Sequence, residues 1–359
     1  MAARKTEDRM LQNILLRTAA GAAFAMIGGA AYADSISPAS FSDTIPVGGS
    51  TGVDKTVTIS AGSPTGAQVD VVFLTDTTGS MGSFIGAVQA GFGTIATNLA
   101  GLGNVHFAVQ EYRDVGDAFV WRQNTSMTGN LANVQAGIDL YEADGGGDTP
   151  EANLYALEQA ADVTSWRGGS ARFVVWAGDE PGHDPSGPGD VSTEATATAA
   201  LVAAGAEVIA LDLSSLDSSG QATRITAATG GSLQSGVDPG DIVDIISDAI
   251  SAAFDEYTSV CLDTSEAPAG LTVTSSACIV GDFDRSVERT FNFNLAIDGD
   301  APGAYDFNVY ATVDGGRVAT ERDLITVTDE VTTPEPASLA LISVGLIGLG
   351  VGRRFRRRA

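Results

Sequence analysis

Val69-Asp70-Val71-Val72-Phe73-Leu74-Thr75-Asp76-Thr77-Thr78-Gly79-Ser80-Met81-Gly82 is an apolar run that ends in a cluster of oxygens. Val69, Val71, Val72, Phe73 and Leu74 form a short, β-branched stretch bounded by turn residues, which predicts a central parallel strand covered on both faces. Asp76 then offers a carboxylate, Thr78 and Ser80 offer hydroxyls, and Gly79 and Gly82 let the backbone turn tightly between them. Alternate residues of such a loop can converge on one point. Three hard oxygens at a strand's carboxyl end suit Mg²⁺ or a similar cation.

Downstream, strands and helices alternate. Phe84, Ile85, Val88, Phe92, Ile95 and Leu99 fall at helical spacing within Phe84 to Leu102. Val105 to Tyr112 and Ala118 to Arg122 read as strands joined by an Asp114-Val115-Gly116-Asp117 turn. Helices are expected over 130–142 and 151–163, a β-rich run over Ala171 to Ala177, a helix over Thr193 to Ala204, a strand over Ala206 to Leu213, and a last helix from Asp238 to Tyr257. This alternation implies an α/β fold with a doubly wound, mostly parallel sheet whose ligand site lies at the strands' carboxyl ends.

Two more loops at that edge share the chemistry of the first. Gly145-Gly146-Gly147-Asp148-Thr149-Pro150-Glu151 sets an acid, a hydroxyl and an acid before a helix, and Gly178-Asp179-Glu180-Pro181-Gly182-His183-Asp184 follows a buried strand. Asp76-Thr77-Thr78-Gly79-Ser80 resembles the Asp-x-Ser/Thr-x-Ser signature of von Willebrand factor A domains, a likeness that spans residues 68 to 256. The resemblance implies a metal-ion-dependent adhesion site that takes Asp76, Thr78 and Ser80 from the first loop and Asp179 from the third. It implies Mg²⁺, or Mn²⁺ or Ca²⁺, as the ion.

The second loop departs from the commonest pattern. Most such domains place a Thr there, which makes Thr149 a candidate, yet Asp148-Thr149-Pro150-Glu151-Ala152 is similar to the integrin β-subunit version, in which the Glu after Pro faces the metal. Either Glu151 or Thr149 completes the site. By the same resemblance Asp114, Asp148, the Pro150 carbonyl and Glu151 form a second, neighbouring Ca²⁺ site, although Gly146 stands where the integrin pattern has Asn. The integrin regulatory site needs acids where this chain has Gly82 and Ser83, so it is expected to be absent. His183 has no nucleophile or oxyanion device near it in sequence and reads as a loop-packing residue.

The two ends read as addresses. Residues 1–33 carry Arg4, Lys5, Arg9 and Arg17, an apolar Ala/Gly-rich run, and Ala31-Tyr32-Ala33, which matches a secretory signal peptide. At the other end Thr333-Pro334-Glu335-Pro336 precedes an uncharged stretch from Ala337 to Val351 and an Arg cluster from Arg353 to Arg358. The stretch is short for a stable span, and the basic cluster would stay on the cytoplasmic side. Residues 331–359 thus suit a transient inner-membrane anchor. The Pro334-Glu335-Pro336 motif, hydrophobic run and Arg cluster resemble the PEP-CTERM sorting tails of Gram-negative bacteria, which are processed by exosortase and often accompany exopolysaccharide production. That resemblance implies a protein exported to the cell envelope or extracellular matrix.

The flanks of the central part share one β pattern. Residues 34–67 hold Phe41, Ile45, Val47, Val57 and Ile59 in two expected strands, too few to stand alone. Residues 258–330 alternate Phe291, Phe293, Leu295 and Ile297, then Phe307, Val309, Ala311 and Val313, around a Gly299-Asp300-Ala301-Pro302-Gly303 turn. The economical reading is a β-sandwich interrupted by the A domain at 68–257, an arrangement similar to that of integrin β subunits. Cys261 and Cys278 are the two cysteines of the chain. In an exported protein such a pair predicts a disulfide.

The 359 residues carry a formal charge of −26, and nine of the 19 Lys and Arg lie in the two end segments. Such a surface repels nucleic acid and attracts divalent cations. With no base placed to activate a water, an enzyme is not expected. The expectation is an exported, cation-dependent adhesion protein that binds a carboxylate of a protein or acidic polysaccharide. The alternative is a structural matrix protein whose ion only stabilises the fold.

Overall fold

A computed structural model describes residues 33–329. The signal peptide expected over 1–33, apart from Ala33, lies outside the described residues, as do the tail over 331–359 and its Pro334, Glu335 and Pro336. Among the described residues no helix is long and apolar enough to cross a membrane.

The opening stretch is strand β4 (Ala67–Asp76), buried along almost its whole length. Its side chains alternate between two apolar clusters, as the pleat requires. Val69, Val71 and Phe73 enter one cluster, while Val72 and Leu74 enter the other. In the first cluster Phe73 stacks on Phe107 with ring centroids 5.9 Å apart, and Phe92 meets both edge-on. β4 is flanked by β5 (Gly103–Tyr112) and β7 (Ala171–Gly178), and the six-stranded sheet runs β6-β5-β4-β7-β8-β9. β8 spans Ala206–Asp212, β9 Ser232–Ser235 and β6 Trp121–Thr128. Every neighbouring pair is parallel except β5 and β6.

Helices α1 (Gly82–Leu99), α2 (Leu131–Ile138) and α6 (Ile242–Ala252) bury their apolar residues in the cluster holding Phe73. Helices α3 (Asn153–Val163), α4 (Glu194–Ala204) and α5 (Gln221–Thr229) bury theirs in the opposite one. α4 starts at a Thr193–Thr196 capping box and ends at Gly205 in the left-handed region, which a residue without Cβ adopts freely.

The departures from the sequence reading have local causes. The expected strand at Ala118 to Arg122 begins instead at Trp121 and runs to Thr128, because an edge strand needs no apolar run. Its Asn124 and Arg122 instead bond the buried Glu111 of β5, at 2.6 and 2.8 Å. The expected helix from Asp238 to Tyr257 ends at Ala252, and Glu256 opens a new strand. α5 and β9 were not expected, since the polar run from Ser214 to Ser235 carries a weak apolar period.

The remaining strands form two sheets. One runs β1-β3-β13-β11, with β1 Ser35–Ser37, β3 Ser50–Ile59, β11 Leu271–Ser275 and β13 Arg289–Gly299. The other runs β12-β10-β14-β15-β2, with β2 Ser40–Pro46, β10 Glu256–Asp263, β12 Ile279–Asp284, β14 Gly303–Val313 and β15 Gly316–Thr328. Residues 35–59 thus supply three strands rather than two. β3 pairs antiparallel with β13 from Ser50 to Ile59, and β2 pairs parallel with β15. Buried residues of both sheets, among them Val57, Phe293, Val309 and Ile325, belong to one apolar cluster.

Cys261 and Cys278 form a disulfide across a sequence separation of 17. Closing a loop of that length is worth about 3 kcal/mol in the chain-entropy account. The double variant Cys261→Ser/Cys278→Ser is therefore expected to lower the urea midpoint by that stability, and an unchanged midpoint would refute it.

Candidate metal centre

Asp76 is the last residue of β4 and is fully buried. Its Oδ1 accepts two bonds from Thr78, the backbone N–H at 2.8 Å and the hydroxyl at 2.7 Å, so the loop folds back on the carboxylate. Oδ2 is buried without a partner. Thr77 turns away from the site and donates its hydroxyl to Glu111 at 2.8 Å, which ties the loop to β5. Ser80 stands at the exposed mouth.

The second loop lies directly against the first. Asp144 N–H donates to the Thr77 carbonyl at 3.1 Å and Gly79 N–H to the Gly145 carbonyl at 3.3 Å. Gly146 has φ +69°, and a Cβ there would sit 2.8 Å from the Thr78 Cβ and 3.2 Å from Glu151 Oε1. Only glycine lets these two loops close around one point.

The third loop is strapped to the second by a short parallel bridge. Glu151 N–H donates to the Pro181 carbonyl and His183 N–H to the Glu151 carbonyl, both at 2.9 Å. Gln221 of α5 secures the far side, its Oε1 accepting from Gly182 N–H and its Nε2 donating to the Gly182 carbonyl, both at 2.9 Å. Asn153 Nδ2 donates to the Glu180 carbonyl at 2.9 Å. Beneath the loops Trp176 donates its ring N–H to the Tyr112 hydroxyl at 3.0 Å.

The outcome is a set of buried acceptors with nothing to accept. Asp76 Oδ2, Asp114 Oδ1, Glu151 Oε2, Asn153 Oδ1 and Asp179 Oδ1 all lack a hydrogen-bond partner. Such groups are costly to bury unsatisfied, and a bound cation would offset that cost. Their electrostatics agree. Burial pushes the Asp76 carboxyl up to about 7 against the two Thr78 hydrogen bonds, with Asp179 and Glu180 adding to the rise. Burial pushes Glu151 up to about 8, reinforced by Asp76, Asp114, Asp117 and Asp179.

Of the two candidates in the second loop, Glu151 is buried and Thr149 is exposed. Thr149 therefore brings no buried oxygen to the group. Beside the main group, Asp114, Asp148 and His183 hold ligand atoms within 4.8 Å of one another and could hold a metal ion. His183 Nε2 lies 3.7 Å from Asp114 Oδ2. The neighbouring group thus contains His183, read from sequence as a packing residue, together with the expected Asp114 and Asp148. The Glu151 strap to His183 N–H brings the imidazole there, a contact that no local pattern announces. Asn153, Asp117 and Gln221 were likewise missed, because each acts through a loop closure that only the tertiary fold creates.

Residues 332–358 match the family model of the PEP-CTERM protein-sorting motif. The motif indicates export and C-terminal sorting and implies processing by exosortase. A curated ariadne-like RING finger protein of Acanthamoeba polyphaga mimivirus is 30% identical over 129 residues, which are 34% of this chain and 12% of that protein. The chain therefore spans 12% of the length of that relative. Among solved structures, von Willebrand factor type A from Catenulispora acidiphila is similar with a TM-score of 0.42 and 15% identity, over 86% of this chain and 76% of that one. The pilus adhesin SpaC from Lactobacillus rhamnosus GG is similar with a TM-score of 0.39 and 15% identity, over 77% and 46% respectively.

Proposed function

We propose that the protein is an exported, divalent-cation-dependent adhesion protein, and that Asp76, Thr78, Ser80, Glu151 and Asp179 would hold the ion. The observation that carries this reading is that buried carboxylate oxygens of Asp76, Glu151 and Asp179 lack hydrogen-bond partners on three separate loops at the carboxyl edge of a parallel sheet, with Asp179 raising both Asp76 and Glu151. A bound Mg²⁺, Mn²⁺ or Ca²⁺ would supply a coordination position for a carboxylate of a partner protein or acidic polysaccharide. The chain's own part is to fix the acids before the ion arrives, through the Thr78, Gly146 and Gln221 contacts. Asp114, Asp148 and His183 would hold a neighbouring ion. We read the two flanking sheets as one sandwich interrupted by the α/β part, the tail as a transient inner-membrane anchor, and the role as binding rather than catalysis.

One observation favours the structural alternative. Glu151 adds a third carboxylate to Asp76 and Asp179, which lowers the electrophilicity of an ion and weakens its hold on an acidic ligand. Retention of the full chain on an immobilised uronic-acid polysaccharide, and on its carboxyl-reduced form, separates the two. Adhesion predicts Mg²⁺-dependent retention on the first alone, lost with chelator and in Thr78→Ala/Ser80→Ala. Should that variant melt earlier yet show the same retention as the parent, the ion is structural.

A further inference from the structure

Only two lysines occur in the chain, Lys5 and Lys55. Lysine is almost never fully buried unless it is paired, yet Lys55 has no exposed surface. It points inward from β3 in phase with Val57 and Ile59. Facing it from β15 of the other sheet are Glu321 and Asp323, in phase with Ile325 and Val327 and buried to 2% and 0% exposure. Lys55 Nζ lies 2.5 Å from Glu321 Oε2 and 3.2 Å from Asp323 Oδ1.

The surroundings are apolar. Phe293 is the register partner of Lys55, Phe307 and Phe41 are those of Asp323, and Val309 is that of Glu321. Ionised, the three groups would leave a net negative charge in the core, where each ion has lost several kcal/mol of hydration. Glu321 Oε1 and Asp323 Oδ2 find no hydrogen-bond partner. Burial pushes the Glu321 carboxyl up despite the bond from Lys55. As a plain ion cluster this arrangement is poorly satisfied. As a set of reactants it is complete.

We propose that Lys55 and Asp323 join through an intramolecular amide bond, with Glu321 as the proton shuttle. The neutral Lys55 amine attacks Cγ of the protonated Asp323 carboxyl, and the Nζ–Cγ bond forms. Asp323 Oδ1 takes up the developing charge, and the Phe41 backbone N–H already donates to it at 2.9 Å. Glu321 accepts a proton from Nζ and returns it to Oδ2, which leaves as water when the Cγ–O bond breaks. Atoms and charge balance with water as the sole by-product, and no other reactant is needed. Lys55 Nζ lies 3.2 Å from Asp323 Oδ1, an oxygen bonded to the Cγ it would attack, and holding reactants together in this way makes the step effectively unimolecular. The product leaves a neutral amide and a single carboxylate, Glu321, in place of three buried ions. It would also close a covalent loop from 55 to 323 that contains the whole α/β part.

Peptide mass mapping of the denatured, reduced full chain tests this. The expected result is a branched peptide joining the Lys55 and Asp323 segments, lighter than their sum by one water, with Lys55 inert to amine acylation in the denatured protein. Linear peptides with Lys55 fully acylated would overturn the proposal, and leave the cluster as an ion trio. Fragmentation that places the branch on Glu321 would overturn the choice of acceptor. Glu321→Gln keeps both reacting groups and is expected to give linear peptides in protein whose circular dichroism is native. A branch formed as fully as in the parent would overturn the shuttle. If that variant fails to fold, the parent digest alone decides. Lys55→Arg, which keeps the charge and cannot form the bond, provides the uncrosslinked mobility standard.

Discussion

Freed of divalent cations, the full chain is expected to melt roughly 10 °C lower at pH 8 than at pH 5, and saturating Mg²⁺ at pH 8 is expected to recover most of the loss. The sign follows from the two buried acids. Folding raises Asp76 from its ordinary 3.8 to about 7 and Glu151 from 4.5 to about 8. Between about pH 4 and pH 8 the folded chain therefore holds protons that the unfolded chain has released. Their contribution to stability is full below the unfolded values and is lost as pH rises through the folded ones.

Asp76 adds to the Glu151 shift, and Asp179 to both, so the two are not independent and the total is on the order of 4 kcal/mol, well under their sum. Glu207, which burial pushes up to about 7, moves the same way. Asp76→Asn/Glu151→Gln separates the contributions. That variant should show a much flatter melting profile between pH 5 and 8 and no response to Mg²⁺. A parent protein whose melting ignores Mg²⁺ at pH 8 would contradict the assignment.

The second large effect lies at Gly146. A Val there would combine a left-handed backbone with a Cβ 2.8 Å from that of Thr78 and 3.2 Å from Glu151 Oε1. Strain of that kind costs about 1–3 kcal/mol, and here it opposes the approach of the first two loops. Gly146→Val is expected to weaken Mn²⁺ binding roughly tenfold to a hundredfold, since each 1.4 kcal/mol is about a factor of ten. Gly147→Ala provides the control, for a Cβ at Gly147 meets nothing within 4 Å. Equal Mn²⁺ affinity in Gly146→Val and the parent would show that the first two loops need not close to bind.

Much of the frame was legible because strong local signals coincide. β4 and β7 combine apolar runs with acids at their carboxyl ends, so one reading delivered both the strand and its candidate ligand, Asp76 or Asp179. α5 and β9 were not legible, since their polar sequence takes its structure from packing on β8. Glu151 and Thr149 could not be separated from sequence because two residues apart in a loop carry no phase, and the bridge to Gly182 is what buries one and exposes the other. His183 joined the neighbouring group through that same bridge. Lys55, Glu321 and Asp323 stand in period-two phase with the inward residues of their strands, a signal that was present. What sequence could not supply was the pairing across two sheets of residues some 270 positions apart.

The central claim is that the three loops hold a divalent cation. Calorimetric titration of Mg²⁺ and Mn²⁺ into the chelator-stripped full chain, beside Asp76→Ala, tests it most directly. The account predicts saturable uptake by the parent that Asp76→Ala abolishes while its circular dichroism stays native. Identical uptake by both proteins, or none by the parent, would contradict it.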